Sequence, residues 1–246
     1  MTDRNDVPPA RKRDMSYGKC SDEFQNGPPG SASRRALLAG LAGLALGASM
    51  TPGLAQGARP LKLVVLGDSL SAGYQLPAGA AFPEQLQVAL QARGRRIDIV
   101  NAGVSGDTSS QGLDRLDWSV PDDADAVIVE LGANDALRGV DPQLTRKTLA
   151  AIVERLQQRG IAVMLAGMLA PRNMGTEYAA AFDAIYPDLA RRYGVALYPF
   201  FLDGVAGVAR LNLRDGIHPT AEGVKVIVER ILPSVEAFLA TVKPRA

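Results

Sequence analysis

The stretch from residue 61 to residue 74 constrains the fold of this chain most strongly. It begins with the apolar run Leu-Lys-Leu-Val-Val-Leu, which is typical of a short buried β-strand. Gly-Asp-Ser-Leu follows directly at residues 67–70. Because ligands of open α/β sheets bind beyond the carboxyl ends of the strands, Ser69 is predicted to lie on a turn that faces the ligand crevice.

The first 55 residues predict an export signal that lies outside the folded domain. Arg34 and Arg35 precede an apolar run of small residues, and Gly-Leu-Ala at residues 53–55 matches a signal cleavage site. That run of roughly 15 residues is too short for a membrane-spanning helix. We expect residues 1–55 to be a disordered leader with a twin-arginine-type signal, cleaved to give a periplasmic or secreted protein without stable membrane insertion. Met1 and Met15 are both candidate starts.

The remainder, residues 56–246, is predicted to be a single domain whose composition excludes several protein classes. The formal net charge of the whole chain is only +1, which gives no sign of a nucleic-acid partner. The single cysteine, Cys20, lies in the leader, so the exported domain has neither a disulfide nor a thiol nucleophile. No set of side chains has metal-ligand spacing, and we expect no metal and no cofactor.

Short apolar segments alternate with amphipathic helical segments along this domain. The alternation predicts a parallel sheet with helices on both faces, and five strands predict a flavodoxin-like three-layer α/β/α sandwich. The predicted strands are residues 62–66, 97–100, 126–131, 161–166 and 195–198. The predicted helices are residues 81–93, 109–116, a helix between Asp141 and Gly160, residues 176–193 kinked at Pro187, and residues 221–239 kinked or split at Pro233.

The reactive side chains near the predicted strand ends favour acyl transfer to a serine. His218 is the only histidine of the chain, so it is the candidate general base for a hydroxyl nucleophile. Asp215 precedes it by three residues, a spacing that can bring its carboxylate to the imidazole Nδ1–H on a tight turn. Ser69 is the candidate nucleophile because it follows the first strand. The N–H groups of Ser69 and Gly106 and the side-chain amide of Asn134 are candidate oxyanion donors.

Four blocks of the sequence resemble the signature blocks of the GDSL, or SGNH, hydrolases. They are Gly-Asp-Ser-Leu at 67–70, Ser-Gly-Asp-Thr-Ser at 105–109, Gly-Ala-Asn-Asp at 132–135 and Asp-Gly-Ile-His-Pro at 215–219. The sequence is most similar to the exported acyl-CoA thioesterase I, lysophospholipase and arylesterase branch of that family. The resemblance implies a five-stranded parallel α/β sandwich.

The resemblance also implies a role for each site residue. The family's nucleophile falls on Ser69, and its acid–base pair falls on Asp215 and His218. Asn134 and a glycine after the second strand become the oxyanion donors. Gly103 also follows that strand, but the family's glycine is the one in Ser-Gly-Asp-Thr, which is Gly106.

The predicted function is metal-free hydrolysis of carboxylic esters and acyl thioesters through an acyl-enzyme on Ser69. The expected substrate is a small acyl ester, such as an aryl ester, a lysophospholipid-like ester or a medium-to-long acyl ester. One alternative is an O-acetyl esterase that acts on cell-envelope carbohydrate. The other is a non-catalytic periplasmic protein that binds lipid or glycan on the same fold.

Some side chains near these blocks have structural interpretations. Asp68 is predicted to be a hydrogen-bonding turn residue, and Trp118, Phe200 and Phe201 are predicted to pack in the interior. Residues 168–178 and 199–208 are candidates for a wall or lid of the acyl site.

Overall fold

The computed structural model describes residues 59–245, and within them five strands form one parallel sheet. The strands are β1 (Leu61–Gly67), β2 (Ile97–Gly103), β3 (Ala126–Glu130), β4 (Ala162–Ala166) and β5 (Ala196–Tyr198). Their order across the sheet is β2-β1-β3-β4-β5. The predicted flavodoxin-like α/β/α sandwich is therefore confirmed. Its topological switch point, where the chain reverses direction across the sheet, lies between β1 and β3.

Helices form the two outer layers of the sandwich. Within residues 59–245, α2 packs against β2 and α9, while α6 packs against β4, α3 and α8. The helices are α1 (Ser69–Ala72), α2 (Phe82–Ala92), α3 (Ser109–Asp114), α4 (Leu116–Ser119), α5 (Ala133–Leu137), α6 (Pro142–Gln158), α7 (Thr176–Asp183), α8 (Ile185–Tyr193) and α9 (Ala221–Thr241). Two short 3₁₀ turns lie at Arg172–Met174 and Ala209–Leu211.

The register of the central strands gathers three loops at one place. Strand β3 and most of β1 are buried, as expected for central strands of a parallel sheet with both faces covered. At the carboxyl edge, Gly67 pairs with Gly103 of β2 on one side and with Glu130 of β3 on the other. The loops that follow β1, β2 and β3 therefore start side by side.

Capping residues begin the helices that flank these loops. Asp141 accepts the N–H of Gln143 at the start of α6, with Pro142 at the first helical position. Thr108 caps α3 and forms a capping box with Gln111.

Several predicted helices differ in the structure. Residues 176–193 form two helices, α7 and α8, and not one helix kinked at Pro187. Pro187 lies in the first turn of α8, where a missing N–H leaves no hydrogen bond unmade. Residues 109–116 likewise belong to two short helices, while α9 continues through Pro233 without a split. The short helices α1 and α5 were not predicted.

One packing prediction is wrong, and the predicted leader cannot be compared. Trp118 is 77% exposed, so it does not pack in the interior, whereas Phe201 is fully buried as predicted. The predicted leader, its cleavage site and Cys20 lie outside the described residues. None of the helices in residues 59–245 has the length and apolarity needed to cross a bilayer.

Candidate active site

The structure brings Ser69, His218 and Asp215 into one hydrogen-bonded chain. Ser69 begins α1 directly after β1, and the other two residues lie on the loop before α9. The Ser69 Oγ is 2.9 Å from the His218 Nε2. The His218 Nδ1 is 2.7 Å from the Asp215 Oδ2. A carboxylate at Nδ1 favours the tautomer with its proton there, which leaves Nε2 to accept the Ser69 hydroxyl proton.

Asp215 is held in place by the backbone of its own loop. Its Oδ1 accepts the N–H of Ile217 at 3.0 Å and the N–H of His218 at 3.1 Å. The Ile217 N–H, together with the bonds to His218, keeps the pKa of the Asp215 carboxyl below its usual value despite some desolvation. Asp215 is therefore ionised at neutral pH, and both of its oxygens are oriented.

An aromatic ring covers the imidazole. The Tyr74 ring lies with its centroid 4.5 Å from that of His218, at an interplanar angle of 39°. Tyr74 follows α1 and is itself 40% exposed. Because its ring lies against the imidazole, it shields one side of His218 from solvent. No role was predicted for Tyr74 from the sequence, because its contact with His218, 144 residues further along the chain, depends on the fold.

The predicted oxyanion residues follow β1, β2 and β3: Ser69 begins α1, Gly106 lies in the loop after β2, and Asn134 lies in the first turn of α5. Neither the Ser69 N–H nor the Gly106 N–H has an acceptor within residues 59–245. Gly106 adopts a left-handed φ of +89°, which glycine tolerates at low cost. Asn134 Nδ2 donates to Asp68 Oδ2 and to the Asp107 carbonyl, each at 3.0 Å. Asn134 lines the cavity beside Ser69, whereas Gly106 is not among the residues that line it.

Two ionic groups fix the loop that contains Gly106. Arg115 is buried and contacts Asp107 Oδ2 at 2.6 Å, while its other nitrogens donate to the carbonyls of Gly67 and Ala102. Asp135 accepts the Ser109 N–H at 2.7 Å. The ends of β1 and β2, the Asp107 loop and α5 are thereby tied together.

Two buried carboxyl groups lie below the serine turn. Asp68 caps α1 by accepting the Leu70 N–H at 3.0 Å, which confirms its predicted turn role. Burial raises its pKa to about 6. Glu130, at the end of β3, is hydrogen-bonded through Oε2 to Ser71 Oγ at 2.7 Å. Complete burial, followed by the nearby Asp68 charge, raises its pKa well above the usual value. The sequence signal for Glu130 was its place as the one charged residue of an apolar strand.

A cavity of about 380 Å³ opens beside Ser69 and His218. Its walls come largely from α5 and from the segments after β4 and β5, so the predicted acyl-site stretches 168–178 and 199–208 both contribute to it. Phe200, which was predicted to pack in the interior, is one of its wall residues. The main apolar side chains around it are Leu137, Met168, Leu169, Phe200, Leu202 and Ile217.

Comparison with known proteins places this geometry in a family. Residues 65–226 match the model of the GDSL-like lipase/acylhydrolase family. The chain belongs to that family. It is a GDSL-type hydrolase, and the matched residues include Ser69, Gly106, Asn134, Asp215 and His218.

Similar proteins in this family have hydrolase names. The chain is 40% identical to an arylesterase of Vibrio mimicus over 172 residues, which are 68% of this chain and 84% of that protein. It is 42% identical to the thioesterase 1/protease 1/lysophospholipase L1 of Escherichia coli over 168 residues, 68% of this chain and 79% of that protein. Among solved structures, AlinE4, an SGNH-hydrolase family esterase, is 44% identical to this chain in sequence, and its crystal structure matches with a TM-score of 0.62. The match covers 74% of this chain and 97% of AlinE4.

Proposed function

We propose that Ser69, His218 and Asp215 carry out ester hydrolysis through an acyl-enzyme. The observation that supports this most directly is the continuous chain of contacts from the Ser69 hydroxyl to the Asp215 carboxylate. The Ser69 Oγ attacks the substrate carbonyl while its proton moves to the His218 Nε2. His218 then gives this proton to the leaving oxygen or sulfur, and the acyl group stays on Ser69. Water, deprotonated by His218, attacks the acyl-enzyme and releases the acid.

The oxyanion of each tetrahedral intermediate is proposed to accept hydrogen bonds from the Ser69 and Gly106 N–H groups and from Asn134. The two amide N–H groups have no competing acceptor within the described residues. Both protons of Asn134 Nδ2 already have acceptors, so the oxyanion shares or replaces one of these bonds. The two backbone N–H groups need no such exchange, and donors fixed in advance stabilise developing charge without reorganisation.

The proposed substrate is an ester or thioester with a medium-to-long acyl chain. The cavity beside Ser69 is lined mainly by apolar side chains, which suit an alkyl or aryl acyl group. An acetylated sugar would bring many hydroxyl groups, and apart from the serine site the wall offers them few polar side chains, among them Arg172 and Asn212. The cavity therefore favours an acyl ester, such as a lysophospholipid-like or aryl ester, over carbohydrate O-acetyl groups.

The proposed location is the periplasm, or the medium if the protein is released. This proposal rests on the sequence of residues 1–55, with Arg34 and Arg35 before the apolar run. Acyl-CoA is a cytoplasmic thioester, so export makes an envelope acyl ester the more suitable natural substrate.

The test is turnover of p-nitrophenyl esters of increasing acyl length by the mature protein. Ser69→Ala and His218→Ala should fold and show activity near background, whereas Ser110→Ala, a control serine on α3, should match the wild type. Activity should increase from acetyl to longer acyl groups. Near-wild-type turnover by Ser69→Ala would exclude the proposed nucleophile, and a preference for acetylated sugars would favour the alternative esterase.

A further inference from the structure

Asp68 and Glu130 are buried next to each other beneath Ser69, and the acyl-transfer steps above use neither of them. Both residues are 0% exposed. Glu130 Oε2 is hydrogen-bonded to Ser71 Oγ at 2.7 Å and accepts the Asp68 backbone N–H at 3.4 Å. The Asp68 carboxylate in turn accepts from Leu70 and Asn134. A connected path therefore runs from Glu130 through Asp68 to the Asn134 amide.

The hydrogen bonds show which of the two carboxyl groups is charged. Each Asp68 oxygen accepts one hydrogen bond. Glu130 Oε1 is buried with no partner within residues 59–245. In a neutral Glu130 the proton lies on Oε2 and is donated to Ser71 Oγ, so the unpaired Oε1 is a carbonyl oxygen, which is far less costly to bury than an unpaired carboxylate oxygen. Two adjacent buried charges would also repel each other. The single negative charge therefore belongs on Asp68.

Within the residues that the structure describes, each group near the pair that can carry a positive charge already has a carboxylate partner: Arg115 has Asp107, and His218 has Asp215. Arg115 reaches the Gly67 carbonyl, but its guanidinium is paired with Asp107. The imidazole of His218 favours the charged form of Asp68, whereas Asp107 opposes it. The titratable and charged groups around the pair are Asp107, Arg115, Tyr186 and His218.

The Glu130 carboxyl group is closely packed against the turn from β1 into α1. A Cβ on Gly67 would lie 2.2 Å from Ser71 Oγ and 2.7 Å from Glu130 Oε2, so only glycine leaves room for the buried acid. Glu130 ends β3 and pairs with Gly67 in the sheet. The carboxyl group thus braces the turn from β1 into α1, which contains Asp68 and Ser69.

The charge on Asp68 determines the orientation of Asn134. The Asn134 amide presents its NH₂ group to two acceptors, Asp68 Oδ2 and the Asp107 carbonyl. A protonated Asp68 could donate a hydrogen bond, and the amide could then turn its oxygen toward it. Only the charged carboxylate of Asp68 acts purely as a hydrogen-bond acceptor, so only that form requires the Asn134 NH₂ group to face it.

We propose that Asp68 and Glu130 are positioning residues for the oxyanion site: the charged Asp68 fixes the Asn134 amide, and Glu130 supports the turn as a neutral acid. This inference rests on the proposed role of Asn134 as an oxyanion donor. Asp68 acts on the reaction through Asn134, so its effect disappears when Asn134 is removed.

A double-mutant cycle with Asp68→Asn and Asn134→Ala tests this dependence. The amide introduced by D68N can still cap α1 by accepting the Leu70 N–H, but it then presents an NH₂ group to the Asn134 NH₂. We expect D68N alone to lower kcat by about ten-fold or more with KM little changed. The hydrogen bond from Asn134 to the oxyanion forms only in the transition state, so its loss affects the rate and not substrate binding. In the N134A background, D68N should lower kcat by less than about three-fold. Asp68→Ser, which caps α1 but is too short to reach Asn134, should behave like D68N and serves if D68N folds poorly.

The outcomes separate this inference from the proposed function. If N134A loses activity but D68N costs the same factor in both backgrounds, Asp68 acts independently and the positioning role is overturned. If N134A turns over ester like the wild type, Asn134 is not an oxyanion donor and this inference fails. The proposed role of Ser69 as the nucleophile is tested separately by Ser69→Ala.

Glu130→Gln tests the neutral acid. Glutamine has the shape of the protonated side chain, so kcat and the acid limb of the pH profile of kcat/KM should stay within about three-fold and a few tenths of a pH unit of the wild type. If Glu130 were charged, its removal would lower the pKa of Asp68 and shift that limb to lower pH. Such a shift, or a ten-fold loss of kcat in folded E130Q, would overturn the assignment of the charge.

Discussion

At the scale of single residues, the reactivity proposed for Ser69 depends on its neighbours. The serine lies in Gly-Asp-Ser-Leu-Ser, which lacks the second glycine of the Gly-x-Ser-x-Gly elbow of α/β-hydrolases. It is the first residue of a four-residue helix capped by Asp68. Its hydroxyl contacts the one histidine, which Asp215 and Tyr74 orient from other sides. We expect changes to these neighbours to affect the rate more than substrate binding.

Asp215→Asn should lower kcat by roughly 10²–10⁴-fold, because an amide can stabilise the wrong imidazole tautomer and cannot neutralise the imidazolium. The loss of kcat is measured as ester turnover at saturating substrate concentration. Asp203→Asn is the matched control, since Asp203 forms a half-exposed ion pair with Arg230 that is separate from the site. A loss in D215N no larger than that in D203N would remove Asp215 from the catalytic chain.

Tyr74→Leu should lower kcat by roughly two- to five-fold, because an aromatic face near a cation contributes about 0.5–1 kcal/mol at an exposed site. Tyr74→Phe retains the ring and should keep the wild-type rate. Steady-state kinetics of the two variants decide the point. Equal losses in both would assign the effect to the Tyr74 hydroxyl and not to its ring.

At the scale of elements, the strand ends determine where the site residues meet. Gly67, Gly103 and Glu130 pair across the sheet, so the loops after them cannot separate. The opposite edge is fixed by Asp125, which lies just before β3 and accepts from Arg59, from the Lys62 N–H and from the Arg245 N–H. Both ends of the described chain therefore converge on one buried carboxylate.

Asp125→Asn should lower the free energy of unfolding by roughly 2–3 kcal/mol, as expected for loss of charged hydrogen bonds. Burial alone would raise the pKa of Asp125, but the Arg59 guanidinium and the two backbone N–H groups outweigh it and lower the pKa. The charged form therefore contributes stability above the unfolded pKa of about 3.9, and this contribution is lost as the pH falls below that value.

Denaturant unfolding of wild type and D125N at pH 7 and pH 3 measures this contribution. The difference between them should shrink at the lower pH. Asp123→Asn is the control, because Asp123 forms an exposed pair with Lys62 that contributes about 0–1 kcal/mol. A D125N cost that equals the D123N cost, or that grows at low pH, would contradict the account.

The elements that the sequence predicted are those with a periodic pattern. The five strands were predicted from continuous apolar runs and α6 from its periodic apolar stripe, and residues of the four blocks come together as expected. Helices α1 and α5 have four and five residues, which is too short for a helical period to appear. The contacts of Glu130 and Tyr74 depend on sheet register and turn geometry, which a sequence pattern does not specify. Trp118 was misjudged because large size usually implies burial, whereas α4 leaves it outside.

At the scale of the whole molecule, the proposal joins a hydrolase domain to an export signal. Arg34→Lys together with Arg35→Lys should prevent export, since the twin-arginine pathway requires the arginine pair. The measurement is the esterase activity of periplasmic and cytoplasmic fractions, together with the N-terminal sequence of the exported protein. We expect that sequence to begin at Gln56. Unchanged periplasmic activity in the double variant would exclude this type of signal.

The most direct test of the central claim is the site of covalent labelling by a fluorophosphonate. Such a reagent phosphonylates a serine only where a base and oxyanion donors activate it. Peptide mass spectrometry of the labelled mature protein should place the single adduct on Ser69, and His218→Ala should abolish it. An adduct on another serine, or no adduct on folded protein that hydrolyses esters, would contradict the account.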